Sequence, residues 1–161
     1  MFRRLVIWCC AWISVTAIAL PQAGSGISGL DVIAARQASL DMSSITFRSM
    51  VAAMKAGREA KSQGYPAAAL AKWAKALPRM FPPGTGRGET PVNTQALLAI
   101  WRDRGGFDRA AAKYADVTAR LTALAAANDT PGFSTQLEAV DQACSSCHAR
   151  YKKGAQGPPK K

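Results

Sequence analysis

Cys144, Cys147 and His148 stand at positions i, i+3 and i+4 near the end of the chain. On a helix these positions share one face, so two thiols and an imidazole address the same object. The spacing is the CxxCH signature of c-type haem attachment, in which two thioethers hold the macrocycle and the imidazole takes the iron. One haem c per chain is therefore expected, covalent through Cys144 and Cys147, with His148 as the metal ligand. Other readings of the same residues fare worse. A structural zinc site needs four ligands, and downstream of the N-terminal region only these three of that kind remain. A thioredoxin-like CxxC would follow a strand in a βαβ pattern, which the sequence lacks, and a plain disulfide has no use for the adjacent His.

The N-terminus reads as an export signal. Arg3 and Arg4 form a basic head, residues 5–20 are apolar, and Ala17-Ile18-Ala19 offers a small-x-small cleavage site, with cleavage after Ala23 the neighbouring alternative. The expected division is a signal peptide over 1–23 and one haem domain over 24–161, with an uncleaved anchor as the competing reading. Cys9 and Cys10 leave with the signal, so no disulfide framework remains. Export suits covalent haem addition, which needs reduced thiols and takes place outside the cytoplasm. The expected location is periplasmic, with no stable membrane anchor after cleavage.

Loss of Arg3 and Arg4 lowers the net charge from +11 to +9. A basic surface suits acidic redox partner proteins or anionic membranes. Nucleic acid is not expected as a partner, because export removes the chain from the genome and no recognition helix or stacking motif is present. Lys152, Lys153, Lys160 and Lys161 read as a solvated tail.

Helical periodicity recurs four times, with no alternating strand pattern. The first helix is expected over 28–56, with Ile33, Leu40, Phe47, Val51 and Met54 on one stripe and Gly57 as a stop. A second follows Gly64-Tyr65-Pro66, burying Leu70, Trp73 and Leu77 until Pro78. Residues 78–103 are rich in Pro and Gly, with room for a helical turn near 94–100. A third helix runs from 103–107 to Asn128 on a seam of Phe107, Ala110, Tyr114, Val117, Leu121 and Leu124. In the fourth, Thr130 is the expected cap and Pro131 the first residue, with Phe133, Leu137, Val140, Cys144, Cys147 and Tyr151 facing inward. The expected fold is all-α, an antiparallel four-helix bundle enclosing the haem. Trp73, Trp101 and Tyr114 read as core.

An exported four-helix chain with CxxCH near its end resembles the class II cytochromes c, the cytochrome c-prime family. Further pieces carry the resemblance: Arg36-Gln37 with Leu40 one turn on, Phe47, Met50, Leu77-Pro78, Phe81-Pro82-Pro83-Gly84-Thr85, Ile100-Trp101, Phe107 and Tyr151. It implies covalent haem at Cys144 and Cys147, His148 as proximal ligand, and Arg36 and Gln37 beside the propionates. In low-spin relatives a Met four residues after that Arg supplies the sixth ligand. Here the position is Leu40, which cannot coordinate iron, so five-coordinate iron under an apolar distal face is implied. Met42 lies about 200° around the helix from Leu40, and Met50 and Met54 roughly 15 and 21 Å along it, which leaves Met80 as the methionine hardest to dismiss. Where the family often carries Arg four residues after the His, this chain has Lys152.

Two functions follow from the resemblance: electron transfer with NO or CO binding, or, as the alternative, a low-spin six-coordinate carrier with a Met sixth ligand. No distal His, Arg or carboxylate suits peroxide or oxygen activation, so the chain is not expected to be an enzyme. Family members commonly form antiparallel dimers through their first two helices, a homodimer to which Met42 and Ile45 can contribute.

Overall fold

The computed structural model describes residues 27–154. The expected signal segment, with Cys9 and Cys10, and the tail beyond Gly154 lie outside the described residues. Five helices follow in order: α1 Gly29–Lys55, α2 Gly64–Ala76, α3 Ala99–Arg102, α4 Arg104–Ala126 and α5 Thr130–Tyr151. The four long ones form the bundle, and α3 is a single turn within the connection between α2 and α4. A 3-10 turn, Leu77–Met80, continues α2, with Pro78 in its first turn where a missing N–H costs nothing.

The helix ends explain themselves locally. Ser28 caps α1 in a reciprocal box: its hydroxyl accepts from the Asp31 N–H while the Asp31 carboxylate accepts from the Ser28 N–H. Gly57 closes the helix at a φ of 70°, a left-handed conformation that glycine adopts without strain. Asp103 caps α4 and Asp129 caps α5, each accepting from a glycine N–H three residues on. The α5 cap therefore sits one residue before the expected Thr130. Thr130 instead accepts from the Ala60 N–H, joining the far end of α5 to the short turn Ala60–Gln63. Asp129→Ala is expected to cost about 1 kcal/mol, read as a lowered urea midpoint.

Contacts at the ends fix the up-down-up-down order. Arg104, at the start of α4, donates to the carbonyls of Pro78 and Phe81 just beyond α2. At the other end, Asn128 accepts from the Lys61 N–H. Helix α4 is the most deeply packed, lying against both α2 and α5 through Phe107, Ala111, Tyr114, Val117, Thr118, Leu121 and Ala125. The seam read from the sequence supplies most of these, and the small residues Ala111, Thr118 and Ala125 complete the close approach. Helix α1 is held less tightly: Ile33 and Met50 are buried, whereas Leu40, Phe47, Val51 and Met54 between and beyond them are half-buried. Met42 and Ile45 stand exposed on its opposite face.

The stretch from Phe81 to Leu98 is irregular but tied down. Arg87 donates to the Ala96 carbonyl, Leu97 to the Tyr151 carbonyl and Lys153 to the Gln95 carbonyl, giving an isolated antiparallel bridge between Ala96 and Lys152. The expected helical turn near 94–100 is found slightly later, at Ala99–Arg102, because 94–97 is extended and paired to the chain after α5.

Candidate cofactor site

Cys144, Cys147 and His148 lie within the last two turns of α5, all half-buried, on the side where Val140, Ala143 and Tyr151 are fully buried. The two cysteines are free thiols. Burial pushes the Cys144 thiol up to about 11, with the charges of Asp141 and Cys147 adding to it, and burial likewise raises Cys147 against the opposing pull of Arg150. Both thiols are therefore neutral at pH 7. Burial, and then the Lys152 charge, lowers the His148 pKa, which favours the neutral imidazole that a metal requires.

Facing this end of α5 across the bundle is α1. Tyr114 of α4 is buried, and burial first, then the nearby Cys144 of α5, raises its pKa against a lesser opposing influence of Ser43 on α1, one turn beyond Leu40. Three helices thus meet around the thiol, and Leu40 and Phe47 present a half-buried apolar strip on the α1 side. A donor set of two thiols and one imidazole on one helical face, opposite apolar side chains that are not packed to completion, fits a haem bound edge-on to α5.

The remaining expected site residues have other partners. Arg36 is 2% exposed. Its Nη1 donates to the Met80 carbonyl at 3.1 Å and to Thr85 Oγ1 at 3.2 Å. Its Nη2 donates to the Thr85 carbonyl at 3.0 Å and to Thr94 Oγ1 at 3.1 Å. The guanidinium also lies over the Phe81 ring, 4.3 Å from its centroid. Both Nη groups are thus committed to Met80 and the Phe81–Leu98 stretch, leaving Nε as the donor available to a propionate. Gln37 is exposed and donates to the Asn93 carbonyl at 2.9 Å, so it holds the same stretch. Among the methionines, Met50 is fully buried, Met42 is exposed, and Met54 and Met80 are half-buried, with the Met80 carbonyl engaged by Arg36.

The sequence did not point to Asp103. Its Oδ1 caps α4, while its Oδ2 accepts from the Tyr151 hydroxyl at 2.8 Å and from Arg150 Nη2 at 2.9 Å. Its partner Tyr151 lies 48 residues away, beyond the reach of any local pattern. Tyr151 stacks edge-on against Phe107 at 5.4 Å, and Phe107 against Phe81 at 4.9 Å. A continuous line of touching side chains runs from the last turn of α5 to Arg36 on α1.

The family model for cytochrome C' matches residues 31–152. The chain belongs to the cytochrome c' family. It is 33% identical over 86 residues to the cytochrome c' of Rhodospirillum rubrum, a match covering 53% of this chain and 56% of that relative, little more than half its length. To the cytochrome c' of Rubrivivax gelatinosus it is 31% identical over 105 residues, covering 63% of this chain and 79% of the relative. A crystal structure of cytochrome c' from Rubrivivax gelatinosus matches with a TM-score of 0.69 at 29% identity, covering 78% of this chain and 97% of that one. A nitric oxide complex of a mutant cytochrome c prime from Alcaligenes xylosoxidans matches in fold, with a TM-score of 0.69 at 23% identity, covering 78% of this chain and 97% of that one. Membership of the cytochrome c' family brings the four-helix bundle and a haem c held covalently through cysteines. Among the described residues no helix is long and apolar enough to cross a membrane.

Proposed function

We propose that Cys144 and Cys147 carry the haem, that His148 is its proximal ligand, and that the protein binds NO or CO on the Leu40 side while also exchanging electrons. The haem, when bound, would supply an iron that changes charge by one electron and can take a small ligand. The chain's own contribution is positional and dielectric. Leu40 and Phe47 offer no lone pair to the iron and disfavour water in the slot, whereas a small weakly polar gas loses little on entering it. The observation that carries this reading is the half-buried apolar strip on α1 opposite a neutral imidazole. The relative solved as a nitric oxide complex supports it by analogy. Export through the 1–23 segment would place the protein in the periplasm, where the basic surface suits acidic redox partners.

Absorption and magnetic spectra of the haem-loaded protein, with and without CO, test the reading. High-spin ferric iron and a ferrous form that binds CO are expected. Low-spin ferric iron with a methionine-to-iron charge-transfer band, and a ferrous form indifferent to CO, would instead assign the protein as a six-coordinate electron carrier.

A further inference from the structure

The turn that bears His148 is held from outside itself. Helix ends ordinarily fray, and a metal-ligating imidazole is ordinarily oriented by a hydrogen bond to its other nitrogen. The His148 ring rides on the last turn of α5. Its orientation is inherited from the backbone of α5, and that backbone is anchored one turn-step later, at Tyr151. The Tyr151 hydroxyl donates to Asp103 Oδ2 at 2.8 Å, its ring is packed edge-on against Phe107, and its carbonyl accepts from Leu97.

We propose that Asp103 is a positioning residue for the iron, acting through the Tyr151 hydroxyl to hold the last turn of α5, and so the His148 imidazole, in register with the bundle. Asp103 suits the role because it is itself fixed: its second oxygen caps α4 through the Gly106 N–H, so the carboxylate joins the start of one helix to the end of another. A Cβ at Gly106 would collide with that carboxylate, which explains the glycine at this position of the cap. The Tyr151 and Gly106 hydrogen bonds, in that order, hold the Asp103 pKa down, so the carboxylate stays an acceptor at neutral pH. Arg150 meets the same oxygen at 2.9 Å, but with 64% and 45% of the two side chains exposed this ion pair contributes little.

The inference rests on His148 being the iron ligand. It is tested on the full haem-loaded protein by resonance Raman spectroscopy of the ferrous form, reading the iron-imidazole stretching band. Two variants remove the tether while sparing the cap and the fold: Tyr151→Phe keeps the ring against Phe107, and Asp103→Ser keeps a good N-cap but is too short to reach Tyr151. Both should broaden the band and move it to lower frequency by a similar amount. The double variant should move it no further, since both changes delete one interaction. Asp129→Ala weakens the opposite end of α5 and supplies the control, a lowered melting temperature with an unmoved band. If Tyr151→Phe and Asp103→Ser lower the melting temperature but leave the band where it is, Asp103 is merely structural and the proposal is wrong. If the wild-type protein shows no iron-imidazole band, the His148 reading fails first, and this inference fails with it.

Discussion

Arg36→Ala is expected to lower the free energy of unfolding by about 4 kcal/mol. The guanidinium is 2% exposed and donates to two carbonyls and two threonine hydroxyls, and Thr85 and Thr94 are themselves buried. Truncation leaves the Met80 and Thr85 carbonyls and Thr85 Oγ1 short of a donor in a place water enters poorly, while Thr94 Oγ1 keeps the Ala96 N–H, at roughly 1–3 kcal/mol for each one not rehydrated, and removes the cation from the Phe81 face. Arg36→Lys should recover less than half, because a single ammonium cannot reach partners that a planar fork spans. Urea denaturation at equal haem content measures both. A loss below about 1 kcal/mol for the alanine variant would mean that other contacts hold the Phe81–Leu98 stretch.

Leu40→Met carries the second large effect, on ligand chemistry rather than stability. The two side chains have similar volume, so the cost to folding should stay below about 1.5 kcal/mol. A thioether placed where Leu40 stands would be a competent iron ligand. The expected outcome is a switch from high-spin to low-spin ferric iron and a weakening of CO binding to the ferrous form by about a hundredfold, which corresponds to ~2.7 kcal/mol of internal ligation that CO must displace. Unchanged spin state and CO affinity would show that Leu40 does not lie over the iron, and would remove the main support for a gas-binding role.

The periodic parts of the bundle were legible from the sequence because their causes are local. The stripes of α1, α4 and α5 depend on residues a few positions apart. The cap of α5 shifted by one residue because Asp129 and Thr130 are both good caps, and the choice was made by Ala60, which claims the threonine. Helix α3 could not be placed well because pairing of 95–97 with the chain after α5 keeps the expected turn extended. The site divides in the same way. Cys144, Cys147 and His148 lie within five residues and declare their chemistry. Arg36 finds its partners 44 to 58 residues away, so neither its burial nor its grip on Thr85 and Thr94 has a signature in the sequence. Asp103 meets Tyr151 48 residues away, a partner with no local signal.

The bridge between Ala96 and Lys152 changes the dynamics of the chain's last helix. A C-terminal helical turn normally opens at almost no cost, and its amides exchange with solvent long before the core does. Here the amides of Leu97 and Lys153 donate across to Tyr151 and Gln95, so opening the end of α5 also requires detaching the stretch that Arg36 holds. The amides beside the haem motif are therefore expected to exchange more slowly than those of an untied helix end, so the place where a helix is ordinarily loosest admits solvent late.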